Sequence, residues 1–358
     1  MLAKAEGGEA EVTFRCTNAK VTVGNVDYTG GTYSHPGGSL SFTVEVPEGY
    51  YVQSVTATPA QDIFCGSEIR NQKLVYSVNI EPDNEGKVAI DIVAAEGTED
   101  TWPLEYVYSI NGPSMTYATV KACDPTYEGA LEIPKTVIHN GVPFPVQSIG
   151  EYAFMECYTL TELTIPDTVV SIGYMALSYT GLRHIRLSEN LQSMDEDCFV
   201  KCIYLEELTL PESLKVIPER AFDSCYALRT VVLPDGLQVI GEFAFWACYN
   251  LSEITIPAGV TEIADGTFMG CRSLAKVTFL GPVTSIGETA FYDTRSLKHI
   301  DLPDSLTSLG SGAFKQSHRD GETDRSGGLE EIVLPAGLTK IDKKLNTIRS
   351  VTCKISAA

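Results

Sequence analysis

From Leu160 onward the apolar positions fall into a register that repeats. LTELTIPDTVVSIGYMALSYTG is followed by LRHIRLSENLQSMDEDCFVKCIY, LEELTLPESLKVIPERAFDSCYA and LRTVVLPDGLQVIGEFAFWACYN, and the series continues to LEEIVLPAGLTKIDKKLNT. The leading leucines stand at 160, 182, 205, 228, 251, 274, 297 and 329, a spacing of 23, once 22 and once 32. A degenerate copy, GALEIPKTVIHNGVPFPVQSIGEYAFMECYT, precedes them. In each copy, apolar residues at the first, fourth and sixth positions (Leu205, Leu208, Leu210) contain one alternating pair, which predicts a short strand. A proline then ends the ladder because it has no N–H to give (Pro166, Pro211, Pro234, Pro257, Pro303, Pro335). Beyond a turn comes a small–aromatic pair (Ala221-Phe222, Ala244-Phe245, Ala290-Phe291, Ala313-Phe314), which is expected on a short helical turn.

One such unit cannot bury its own apolar face, so the units must stack and share a core. The fold expected is mainly β with short helical turns, a solenoid of about nine rungs. At about 4.8 Å per rung it is roughly 40 Å long. Residues 10–95 carry no copy of the repeat. Alternating runs such as Leu40-Ser41-Phe42-Thr43-Val44, separated by Gly30-Gly31 and Pro36-Gly37-Gly38, predict a small all-β, sandwich-like or Ig-like module of about seven strands. The expected domains are 1–100 and 101–358, with the boundary near 96–103.

The pattern L-x-x-I-x-I-P-x-x-V-x-x-I-G-x-x-A-F-x-x-C resembles the BspA-like leucine-rich repeat family of bacterial surface proteins, including those of Bacteroides. The resemblance covers about residues 101–350. VYSINGPSMTYATVKACDPTYEGALEIPKTVIHNGVPFPV is similar to the lead-in of such proteins, which implies a capping hairpin over 101–146. GSLSFTVEVPEGYYVQSVTA resembles small β-repeats that accompany surface proteins of gut bacteria. Departures are local: Ser188 and Leu280 replace the proline, Leu177 the phenylalanine, and Thr180, Thr294 and Ser317 the cysteine. The resemblance implies an adhesion protein that binds host matrix proteins, such as fibronectin or fibrinogen, or other bacteria.

The formal charge of −21 in 358 residues narrows the partners. Residues 1–100 carry 6 basic and 15 acidic groups, and the remainder 20 and 32, with no basic stripe in either part. Nucleic acid and anionic membrane surfaces are therefore not expected partners. No apolar run approaches the roughly 18 residues of a spanning helix. MLAKAEGGEAEV lacks the apolar segment of a signal peptide. The chain is thus expected either to begin after processing of an exported, cell-surface or secreted protein, or to be intracellular as a scaffold.

Cys202, Cys225, Cys248 and Cys271 lie one repeat apart, with Cys157 in the same place earlier. At about 4.8 Å per rung the outer two of the four are some 14 Å apart, too far for one tetrahedral zinc. Neighbouring Cβ atoms at that spacing also exceed the usual reach of a disulfide. A ladder of free buried thiols is expected, with Cys198 also in the core. Cys16 and Cys65 are a possible pair if the protein is exported. Asp320, Glu322, Asp324 and Glu331 imitate a calcium loop, but Arg325 stands where the sharp-turn glycine belongs, so a solvated loop with no metal is expected. No G-x-S-x-G, H-E-x-x-H, P-loop or G-x-G-x-x-G occurs. The expectation is a non-enzymatic protein with no catalytic residues and no cofactor.

What remains is surface. The third and fifth strand positions should point outward along one face: Glu162, His184, Arg186, Glu207, Thr209, Glu253, Lys276, His299 and Asp301. Strand propensity and solubility account for these residues, and so does a shallow mixed-charge groove for a protein or glycan. Tyr158, Tyr204, Tyr226, Trp246 and Tyr249 form a candidate aromatic edge, either a contact surface or a stack packing on itself. A rival reading makes the front module a glycan binder and the repeats a spacer. It requires exposed coplanar aromatics among Tyr28, Tyr33, Tyr50 and Tyr51.

Overall fold

The computed structural model describes the chain except residues 1–9, 18, 36–37, 46–49, 59–62, 71–72, 81–86, 97, 100–102, 111–115, 140–141, 316–328, 342–349 and 354–358. The chain divides into two compact units: 1–101 with 107–118 and 136–146, and 102–106 with 119–135 and 147–358.

Among the described residues, 10–96 of the first unit hold nine strands in two sheets, where about seven were expected: β1 (Ala10–Thr17), β2 (Lys20–Val23), β3 (Val26–Asp27), β4 (Thr32–His35), β5 (Gly38–Glu45), β6 (Tyr50–Thr58), β7 (Ile63–Arg70), β8 (Lys73–Ile80) and β9 (Lys87–Glu96). The extra strands are the two-to-four-residue pieces around Gly24 and Gly30, both at positive φ, where the chain turns too sharply for alternation to register. One sheet runs β4-β1-β9-β6 and the other β3-β2-β5-β8-β7, with β1 and β9 parallel. Inward positions alternate as the pleat requires: Val12 and Phe14, Leu40, Phe42 and Val44, Val88, Ile90 and Ile92 are all buried. Phe14 and Phe42, one from each sheet, meet at 5.2 Å.

The second unit is a parallel stack with one repeat per rung. Its strand-face ladder begins with Gly129–Glu132 of the degenerate copy, which pairs with Leu160–Thr164, which in turn pairs with His184–Arg186. Glu207–Thr209 pairs with Thr230–Val232, and Glu253–Ile256 with Lys276–Phe279. Residues 119–123 cover the first rung, with Gly150 N–H donating to Val120 O (2.8 Å) and Cys123 N–H to Ala153 O (2.7 Å). The leading leucines from Leu160 to Leu297 have no exposed surface.

The small–aromatic pairs are not helical, contrary to the expectation from sequence. Among the described residues, six rungs instead carry two non-glycine residues at positive φ, four apart: Tyr152 and Glu156, Met175 and Tyr179, Asp197 and Lys201, Arg220 and Ser224, Phe243 and Ala247, Thr289 and Asp293. In a seventh rung both are glycine, Gly266 and Gly270, and in the rung of Ala313-Phe314 the first is Gly312. Side chains avoid this region unless the surroundings compensate. Here the compensation is hydrogen bonding forward by one rung. Arg220, Phe222 and Ser224 N–H donate to Glu242, Ala244 and Trp246 carbonyls at 2.9, 2.9 and 2.7 Å. These N–H groups are thus unavailable to the i−4 carbonyl that a helix needs.

The phenylalanines stack as a column. Phe199, Phe222, Phe245, Phe268, Phe291 and Phe314 are at most 2% exposed, with successive centroids 5.2–5.6 Å apart. Leu177 fills the same place one rung earlier and is fully buried.

Candidate functional site: the strand face and aromatic edge of the repeat unit

The buried cysteine column is structural. Sγ of Cys225, Cys248 and Cys271 donates to the carbonyl of Phe199, Phe222 and Phe245 on the preceding rung at 3.3, 3.2 and 3.2 Å, and Cys202 to Leu177 O at 3.1 Å. Thr180 and Thr294 donate within their own rung, to Leu177 O (2.9 Å) and Phe291 O (2.8 Å). The position therefore requires a small side chain with one donor, and this explains the exchange of Cys for Thr. Burial pushes the Cys225, Cys248 and Cys271 thiols well up, keeping them protonated. Cys198 is also fully buried. Cys123, which lies outside the repeat pattern, is also buried, and its Sγ donates to Asp124 O at 3.6 Å. Cys16 is a half-buried free thiol, while the Cys65 side chain lies outside the described residues. Among the described residues no group of His, Cys, Asp or Glu could hold a metal ion. Residues 316–328, and with them Asp320, Glu322 and Asp324, lie outside the description, and Glu331 begins the strand Glu331–Leu334.

On the strand face Glu162, His184, Arg186, Glu207, Thr209, Glu253, Lys276, His299 and Asp301 are all exposed. Register places part of them in rows, Glu162 opposite His184, Glu207 opposite Thr230, Thr209 opposite Val232, and Glu253 opposite Lys276, whereas His299 and Asp301, expected on a strand, lie outside one. Arg186 reaches back one rung to Asp167 with two hydrogen bonds, at 3.1 and 3.3 Å. The Glu189 N–H and then Arg186 hold the Asp167 carboxyl below its ordinary range. His299 Nε2 meets Asp301 Oδ1 at 2.9 Å. Two hollows open on this face. One of about 400 Å3 lies over 184–212, and one of about 340 Å3 over 230–257, with Val232 lining both.

The aromatic residues do not form a single row. Tyr226 and Tyr249 stack at 4.9 Å and 7°, and the Arg272 guanidinium lies 4.7 Å from the centre of Tyr249. Arg272 and Arg295 then grip the buried Asp293 at 3.0 and 2.7 Å, so the pair of rings continues as an Arg–Asp–Arg array. Tyr204 lies under Arg183 at 5.5 Å, and Tyr158 is 61% exposed. Trp246 occupies a different column, beside Phe243 (5.9 Å) and Arg220 (5.8 Å), and Arg220 is in turn paired with Asp197 and Asp223. Sequence reasoning missed Phe243 and the arginines. The one-repeat spacing of Tyr226, Tyr249, Arg272 and Arg295 was the signal available. In the front unit Tyr28 and Tyr33 are half-buried and meet edge to face at 5.1 Å, not as coplanar exposed rings. The Tyr50 and Tyr51 side chains lie outside the described residues.

A parallel stack of 23-residue rungs, each opened by a buried leucine and presenting an outward row of strand residues, defines a leucine-rich repeat solenoid. The BspA type leucine rich repeat region matches six copies, over 135–250, 196–320 and 239–345, and the chain belongs to that family. Among solved structures it is similar to a Treponema (T. pallidum) leucine-rich repeat protein. The identity is 29%, with a TM-score of 0.50, over 56% of this chain and 91% of that one. A Bacteroides ovatus leucine-rich repeat protein shares 25% identity over 69% of this chain and 66% of that one (TM-score 0.46). A Bacteroides capillosus leucine-rich repeat protein shares 34% over 38% and 98% (TM-score 0.32). No curated protein matches the chain. No helix among the described residues is long and apolar enough to cross a membrane.

Proposed function

We propose that this is a non-enzymatic binding protein of the cell surface, or a secreted one, that uses the strand face of its solenoid to hold a protein partner in adhesion. The partner is a host matrix protein or a surface protein of another bacterium. The observation that carries the reading is the series of exposed, chemically varied side chains from Glu162 to Asp301, register-aligned at Glu162–His184 and Glu253–Lys276 and opened by two hollows. Such a face offers area and hydrogen-bonding variety rather than an enclosed reaction pocket. Function belongs to the site and not to the fold, so the partner has to be found by measurement.

The test measures the full chain against immobilised fibronectin, fibrinogen and a polysaccharide panel, at low and at physiological salt, because an acidic chain gives misleading binding when screening is weak. Expected is saturable, salt-tolerant binding to a protein, weakened at least tenfold by Arg186→Glu together with Thr209→Lys. Binding to polysaccharide alone, indifferent to those substitutions, sinks the reading in favour of the front unit as the binding module.

A further inference from the structure

We propose that the middle of the strand face takes a basic polypeptide segment, with an apolar side chain seated against Val232 and Leu280 and lysines or arginines beside Glu207 and Glu253. The proposal deepens the reading of this face as the protein-binding surface and rests on it.

The charge of the two hollows points to that chemistry. Glu189, Glu207 and Glu212 line the first, and Asp235 and Glu253 the second. Among the described residues none of these five carboxylates is in an ion pair. The lysine or arginine lining the hollows is Arg186, and its guanidinium is already committed to Asp167. Lys276 stands opposite Glu253 in the ladder and makes no ion pair with it. The uncompensated charge of the hollows is therefore negative, complementary to a cationic partner.

The apolar contacts are a separate observation. Val232 is 52% exposed and Leu280 57%, and both line the second hollow. Strand propensity accounts for a valine at position 232, inside Thr230–Val232. It does not account for Leu280, which follows the strand Lys276–Phe279 and stands where most rungs carry proline. Exposed aliphatic side chains gathered in a hollow and ringed by charge mark a contact surface. Glu207 and Glu253 lie two rungs apart, about 10 Å, so the partner's cations bracket its apolar residue at about that separation.

The experiment uses the full chain and a labelled peptide alternating lysine and leucine, followed by fluorescence anisotropy at physiological salt. The comparison peptides replace leucine by threonine, or lysine by glutamate. The lysine–leucine peptide should bind best. Glu207→Gln with Glu253→Gln should weaken it about fivefold or more, since an exposed ion pair contributes a factor of up to about five. Leu280→Gln should weaken it about tenfold. Because a chain of charge −21 attracts any cation, a control variant removes two carboxylates elsewhere, Glu219→Gln with Glu242→Gln, both exposed and outside the hollows. Equal weakening by the control, or equal binding of the lysine–threonine peptide, overturns the proposal, and so does preference for the glutamate peptide. A matrix protein that binds through the strand face without competition from the lysine–leucine peptide overturns it too, while leaving the face as the binding surface.

Discussion

Replacing Phe245 by alanine should remove about 4–5 kcal/mol of stability from the repeat unit. The ring is fully buried between Phe222 at 5.3 Å and Phe268 at 5.6 Å, nearly parallel to both. A buried phenylalanine withdraws about 150–250 Å2 from water, which at about 25 cal/mol per Å2 is 4–6 kcal/mol. Measured phenylalanine-to-alanine losses cluster near 3–5 kcal/mol because many sites partly collapse. This site has little freedom to do so. The backbones on either side are tied rung to rung, Phe222 N–H to Ala244 O (2.9 Å), Phe245 N–H to Thr267 O (2.9 Å) and Phe268 N–H to Ala290 O (2.8 Å). Closing the gap would mean breaking that ladder, so the cost sits in the upper part of the range. Phe245→Leu should lose only about 1–2 kcal/mol, because Leu177 already fills this column without exposed surface. The assay is a urea titration of both variants followed by far-ultraviolet circular dichroism, with thermal midpoints alongside. Phe245→Ala should lower the midpoint by about 10 °C. A loss below about 2 kcal/mol for alanine, or a leucine variant as damaged as the alanine one, would refute the idea that the column is a rigid shared core.

The cysteine column makes two further predictions. Cys248→Thr retains a buried donor, for Phe245 O of its own rung as Thr294 has for Phe291 O, whereas Cys248→Val has the same shape and none. Because Phe222 O also accepts the Cys225 N–H, valine leaves no orphaned carbonyl, and urea midpoints should place threonine above valine by about 1 kcal/mol. A valine variant as stable as the threonine one contradicts the donor requirement. Burial also raises the Cys225, Cys248 and Cys271 thiols above their ordinary value of 9.0. Unfolded thiols ionise first as pH rises, the folded state then holds more protons, and stability falls from about pH 9 upward by at most about 1.4 kcal/mol per pH unit for each thiol. Cys248→Thr lacks one such group, so its stability measured from pH 8 to 11 should fall less steeply than that of the parent; parallel curves would sink the assignment.

The repeat, its leucine, phenylalanine and cysteine columns, and the outward strand positions are all readable in the chain itself. A stack places every equivalent residue in one environment, so the environment's demand appears once every 23 residues: a buried leucine, a stacking ring, a small donor. Leu177, Thr180 and Thr294 are legible for the same reason, as substitutions that still meet the demand. Tertiary structure decided whatever depends on a partner one rung away. A helical and a left-handed turn share the same local composition around Ala221-Phe222, and only hydrogen bonds to Ala244 and its neighbours separate them. Likewise Trp246 leaves the tyrosines for Arg220 and Phe243. Arg186 and Glu207 look alike in sequence as outward charged positions. The fold pairs the first with Asp167 and leaves the second uncompensated, because ion pairing depends on distances set by the stack and not on order along the chain.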